Sequence, residues 1–137
     1  MTNGSSEPIR VLLAEDGPDN VRLISHVLRK AGASVTTVGN GEELLAAMTV
    51  DGDAASALRP HLGFDLIITD LHMPNKNGDD ILKLVREDMK STIPIVMFSS
   101  DGEEEVIALA LKLGINDFIV KPVTVEKFLK KIKKYLK

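Results

Sequence analysis

Five short runs of apolar, mostly branched residues recur along the chain, and each gives way to a stretch in which apolar residues return at helical spacing. The runs are 9–14 (IRVLLA), 34–38 (SVTTV), 64–69 (FDLIIT), 93–98 (IPIVMF) and 117–120 (DFIV). Runs this short and this rich in Val and Ile suit strands buried on both faces. Val21, Ile24, Val27, Leu28 and Ala31 mark a helix that starts near Pro18, capped by Asp16 or Gly17, and stops at Gly32. Helical spacing also covers 42–48, the segment holding Ile81, Leu82, Leu84 and Val85, 103–112 up to Gly114, and 124–136. Regular alternation of strand and helix specifies a parallel sheet with helices on both faces, joined by right-handed crossovers. A chain of 137 residues argues for one domain, and 44% apolar residues supply its core without a metal or disulfide staple.

Five such units make a flavodoxin-like, three-layer α/β sandwich with strand order 2-1-3-4-5 and five helices. The domain spans 9–137, and the polar residues 1–8 read as a flexible leader. The segment 49–63 breaks the pattern at Asp51-Gly52-Asp53 and again at Arg59-Pro60. It reads as a lengthened connection with a short helix over 54–58. In an open parallel sheet, chemistry concentrates beyond the carboxyl ends of the strands. The expected order sets the first and third strands side by side. The first ends in Glu15-Asp16 and the third in Asp70, so three carboxylates converge on one crevice.

Carboxylates brought that close repel one another, and a divalent cation offsets the repulsion. Oxygen ligands alone, with no cysteine and no clustered histidine, favour Mg2+. Asp16 and Asp70 are expected as direct ligands, Glu15 as a ligand directly or through water, and the backbone carbonyl of His72 as a further ligand. Lys121 ends the fifth strand and brings an ammonium to the same crevice, to pair with Asp70 and later with a phosphoryl oxygen. Ser99 ends the fourth strand and offers a hydroxyl, and Ser100 beside it is small enough to admit a phosphodonor. A nucleophile, a metal, a cation and a hydrogen-bond donor are the parts that phosphoryl transfer to a carboxylate needs.

These residues, in this order, resemble the receiver domain of two-component response regulators over essentially all of 9–136. The match rests on Glu15-Asp16, Asp70 with Pro74 four residues on, Ser99, Phe118 and Lys121-Pro122. The resemblance implies a phosphoacceptor, not an enzyme with a separate substrate. Asp70 would be phosphorylated, with Mg2+, by a phosphohistidine of a sensor histidine kinase or a histidine phosphotransfer protein. It implies a cis peptide at Lys121-Pro122. It also implies a switch, in which Ser99 moves toward the phosphoryl group and Phe118 turns into the vacated space. The surface of the fourth helix, fifth strand and fifth helix then changes for partners to read. The stretch from Ala14 to Asn20 is most similar to receivers of hybrid histidine kinases, and a stand-alone regulator is the other reading.

Other classes fit less well. An aspartyl-phosphate hydrolase of similar fold would place an acid two residues after its nucleophile, where this chain has His72. A flavin carrier needs a phosphate-binding loop after the first strand, where Glu15 and Asp16 repel phosphate. A phosphohistidine carrier built on His26 would be a helical bundle. The net charge of −3 gives no support for nucleic-acid binding. No apolar run approaches the roughly 20 residues that span a bilayer, and the absence of cysteine suits a reducing, cytoplasmic setting. The lysine-rich terminal helix, with Val125, Phe128, Leu129, Ile132 and Leu136 opposite its lysines, is expected to dock on the sheet. A weak homodimer through the last two helices is left open.

Overall fold

The computed structural model describes residues 8–48, 64–70, 78–88, 90–100 and 102–136. Its strands are β1 (Arg10–Ala14), β2 (Ser34–Val38), β3 (Leu66–Thr69), β4 (Ile95–Ser99) and β5 (Asp117–Val120). Its helices are α1 (Pro18–Lys30), α2 (Gly41–Met48), α3 (Gly78–Lys83), α4 (Glu104–Leu113) and α5 (Val125–Ile132). The five strands form one parallel sheet in the order β2-β1-β3-β4-β5. That is the expected doubly wound arrangement.

Alternation along each strand divides the core in two. Leu12 and Ala14 of β1, Ile67 of β3 and Met97 of β4 pack with Leu44 of α2, Ile81 and Leu82 of α3 and Ala110 of α4. Val11, Leu13, Ile68 and Phe98 face the other way, onto Ile24 and Leu28 of α1 and Phe128 and Ile132 of α5. Successive side chains on a strand point to opposite faces, so a run apolar at every position is what a sheet covered on both sides requires. Full burial of each such side chain contributes about 1.5–3 kcal/mol.

Several boundaries differ from the sequence pattern by a residue or two, and three of the differences bear on the layout. β4 starts at Ile95 rather than at 93, because the Ile93 N–H donates to Ser91 Oγ (3.2 Å) and Pro94 has no N–H for the ladder. α3 is short and runs into a π-helical stretch, Leu84–Asp88. The terminal helix tightens into a 3-10 turn over Lys133–Tyr135, and Thr124 caps its start by accepting from the Lys127 N–H (3.2 Å). Phe128 and Ile132 hold α5 to the sheet, but Val125 is 41% exposed and does not join the buried stripe. α1 starts from Gly17, as one of the two expected caps, and no side chain caps it. The leader up to residue 7, the 49–63 connection, and His72 and Pro74 lie outside the described residues.

Candidate functional site

The site forms where the chain leaves the carboxyl ends of the strands. β1 and β3 are hydrogen-bonded neighbours with Ala14 opposite Thr69, so the next residues, Glu15 and Asp70, emerge together. Backbone bonds continue past the strand ends: the Asp70 N–H donates to the Ala14 carbonyl (3.0 Å) and the Glu15 N–H to the Val38 carbonyl (3.1 Å). Both carboxylates are therefore held by main chain as well as by their own contacts. Glu15 is 3% exposed and Asp70 7%, whereas Asp16 stands in solvent at the mouth.

Carboxylate oxygens of Glu15, Asp16 and Asp70 lie within 4.8 Å of one another. Two of these charges are buried, a costly arrangement unless a cation intervenes. Lys121, directly after β5, provides one. Its Nζ donates to Glu15 Oε1 and to Asp70 Oδ2, both at 2.7 Å. To reach them the side chain crosses the end of β4, and the Lys121 N–H is fixed to the Ser99 carbonyl (2.8 Å). The peptide from Lys121 to Pro122 is cis. Burial pulls the Lys121 pKa down, but hydrogen bonds to Asp70 and Glu15, together with their charges, outweigh it and raise the value above that of an ordinary lysine.

The other oxygen of Glu15, Oε2, accepts from the Gly17 N–H (2.9 Å). Glu15 thus directs one oxygen to the lysine and one to the start of α1, while Asp16 is exposed at the mouth. Ser99 is fully buried at the end of β4, and Ser100 beside it is exposed. Phe118 is buried on the α4 side of the sheet, in the cluster with Ala110 and Ile115. The structure therefore brings Glu15, Asp16, Asp70 and Lys121 into direct proximity, with Ser99 joined to them through the backbone of Lys121. The His72 carbonyl lies outside the described residues.

One contributor was not among the sequence candidates. The Lys121 ammonium sits 4.9 Å from the ring centroid of Phe98, and that ring meets Phe128 of α5 edge to face at 5.7 Å. An aromatic face under a cation attracts it. Strand alternation puts Phe98 on the face opposite Met97 and Ser99, which was legible. That a lysine from β5 would cross it was not. Three convergent hard-oxygen donors, one of them at the solvent mouth, fit a small divalent cation, and no cysteine is present to favour a softer metal. The set as a whole can present a carboxylate nucleophile while neutralising charge around an incoming phosphoryl group.

Comparison with known proteins agrees with this geometry. Residues 11–133 match the family described as response regulator receiver domain. The two-component response regulator ARR3 of Arabidopsis thaliana is 33% identical over 132 residues, covering 96% of this chain and 57% of its own length. The sensory/regulatory protein RpfC of Xanthomonas campestris pv. campestris is 34% identical over 124 residues, covering 88% of this chain and 16% of its own length. The chain spans less than two thirds of the length of such curated relatives. Among solved structures, the chemotaxis response regulator CheY4 of Vibrio cholerae superposes with a TM-score of 0.76 at 29% identity, covering 93% of this chain and 98% of that one.

Proposed function

Because this chain belongs to the response regulator receiver domain family, we propose that Asp70 takes a phosphoryl group from a phosphohistidine of a sensor histidine kinase or a histidine phosphotransfer protein. The observation that carries this reading is the Lys121 ammonium, 2.7 Å from both Asp70 and Glu15 where the ends of β1, β3 and β5 meet. An Asp70 oxygen attacks phosphorus, the P–N bond to the donor imidazole breaks, and its electron pair returns to the ring nitrogen. Lys121 moves from Asp70 toward a phosphoryl oxygen, and the Ser99 hydroxyl donates to another. Glu15 keeps the lysine aimed at the crevice. Glu15, Asp16 and Asp70, with the His72 carbonyl, would hold Mg2+, which supplies positive charge to the phosphoryl oxygens.

Phosphorylation then biases a two-state equilibrium. Ser99 is drawn toward the phosphoryl group, Phe118 turns into the space it vacates, and the α4–β5–α5 face takes the form that partners read. Each charge-assisted hydrogen bond gained contributes about 1.5–3 kcal/mol, enough to move a balanced population. The domain assists its own phosphorylation and hydrolysis and turns over no separate substrate. No helix among the described residues is long and apolar enough to cross a membrane, and the cysteine-free sequence suits the cytoplasm. The test is incubation with acetyl phosphate, read by intact mass. The wild type should gain one phosphoryl group with Mg2+ and none in chelator, and Asp70→Asn should gain none. Equal labelling of the variant, or labelling indifferent to the metal, would overturn the proposal.

A further inference from the structure

We propose that the free edge of β2 pairs with the same edge of a second copy, joining two five-stranded sheets into one about a two-fold axis. The inference goes beyond the phosphoacceptor reading and stands independently of it. An open sheet has two edges, here β5 and β2, and this chain treats them differently. At β5 the outward groups of Phe118 are covered: its N–H donates to Asp117 Oδ1 (2.9 Å) and its carbonyl accepts from Lys131 Nζ (3.1 Å). Side chains that occupy an edge in this way protect it from pairing. β2 (SVTTV) has no charged residue and no proline, and Ser34, Thr36 and Thr37 are exposed. An uncharged edge rich in β-branched residues is a template for another strand.

The ladder with β1 fixes which groups β2 offers. The Ser34 N–H donates to the Ile9 carbonyl (2.8 Å), and the Val38 carbonyl accepts from the Glu15 N–H (3.1 Å). Ser34, Thr36 and Val38 therefore turn their peptide groups toward β1, and alternation leaves those of Val35 and Thr37 pointing outward. The window closes on both sides. The Ala33 N–H is taken by the Leu28 carbonyl (3.0 Å) and the Gly39 N–H by Glu43 Oε1 (2.8 Å). Among the described residues, the one side chain bonded within the window is Arg29, whose Nη2 donates to the Val35 carbonyl at 3.3 Å. A carbonyl has a second lone pair for another donor.

That window is its own complement. In an antiparallel pair centred on Thr36, Val35 of one copy stands opposite Thr37 of the other, and the two exchange N–H and carbonyl bonds. The two-fold repeats the exchange, so every outward N–H and carbonyl of the window finds a partner. Thr36 meets Thr36 in the close, non-hydrogen-bonded position and Ser34 meets Val38, so no like charges oppose each other. The flanks agree. Antiparallel pairing brings the entry to one β2, with Arg29 and Lys30 at the end of α1, toward the exit of the other, with Glu42 and Glu43 in the first turn of α2. Opposite charges at both flanks favour this orientation. With β5 capped, each copy has one open edge, and pairing closes at the dimer rather than propagating.

The test is sedimentation velocity from micromolar to millimolar concentration, combined with amide hydrogen exchange read by NMR. The chain should show a monomer–dimer equilibrium. Exchange at Val35 and Thr37 should slow as concentration rises, while Ser34 and Thr36, already bonded to β1, should not change. Thr36→Lys sets two ammonium groups across the axis and should weaken the dimer about tenfold or more. Thr37→Pro removes an outward donor without touching the ladder to β1 and should do the same. Thr36→Ser should keep the dimer. Circular dichroism checks the fold of each variant, and should one unfold, the wild-type exchange pattern decides alone. A chain still monomeric at millimolar concentration would sink the proposal. So would a dimer that Thr36→Lys leaves intact, or one whose concentration-dependent protection falls on α4 and α5 instead of on Val35 and Thr37.

Discussion

Lys121 lets two buried carboxylates share one edge of the sheet. In Lys121→Met the stem still covers Phe98, but Glu15 and Asp70 face each other without their cation. Removing one partner of a buried pair costs about 3–5 kcal/mol, less at a site open to solvent. Lys121→Met should therefore lose about 1–3 kcal/mol by urea denaturation in chelator, and Mg2+ should restore more stability to it than to the wild type. The sign of the pH dependence follows from the raised Lys121 pKa. A group that binds its proton more tightly when folded stabilises fully below its unfolded pKa, and the benefit is lost as pH rises through the folded value. The stability difference between wild type and Lys121→Met should thus be flat from neutral pH to the ordinary lysine range and shrink above it. A difference that grew with alkalinity would count against the pairing.

Among the elements, the turn from α4 into β5 is held by a clamp remote in sequence. Arg86, in the π-helical stretch after α3, donates from Nε to the Gly114 carbonyl (3.0 Å), from Nη1 to the Ser91 carbonyl (2.9 Å) and from Nη2 to Asn116 Oδ1 (3.1 Å). Asn116 Oδ1 also accepts from the Ile95 N–H (2.9 Å), so one guanidinium ties α3, the entry to β4 and the entry to β5. Gly114 has φ +112°, and a Cβ there would stand 3.0 Å from the Arg86 side chain. Gly32 has φ +97° with open space around it. Both positions favour glycine for backbone reasons, at about 1–2 kcal/mol. Gly114→Ala should cost that strain plus part of the clamp, and Gly32→Ala the strain alone. Equal losses in denaturant midpoint would show that Arg86 yields without cost.

For the whole molecule, the cluster of Glu15, Asp16 and Asp70 is expected to couple stability to a divalent cation. Asp16 is exposed and adds charge to a crowded site, so Asp16→Asn should fold as stably as the wild type in chelator. With Mg2+ at a hundred times its dissociation constant the wild type should gain about 2.7 kcal/mol, seen as a rise in melting temperature that is reduced in Asp16→Asn. An undiminished rise would remove Asp16 from the ligand set. The strand–helix alternation, the two-sided burial of runs such as Leu66–Thr69, and the placement of Glu15, Asp70, Ser99 and Lys121 at strand ends were all legible in the sequence. They depend on periodicities of two and 3.6 residues, which are local. Local patterns do not encode which distant side chains meet. Hence the cation–aromatic contact of Lys121 with Phe98, the division of Glu15 between Lys121 and the start of α1, and the Arg86 clamp appear only once the sheet is assembled. The order of residues determined the layers and which groups stand at the sheet's edge, because burial follows periodicity. Tertiary packing alone decided which charges pair there, because that depends on ångström distances between strands far apart in the chain.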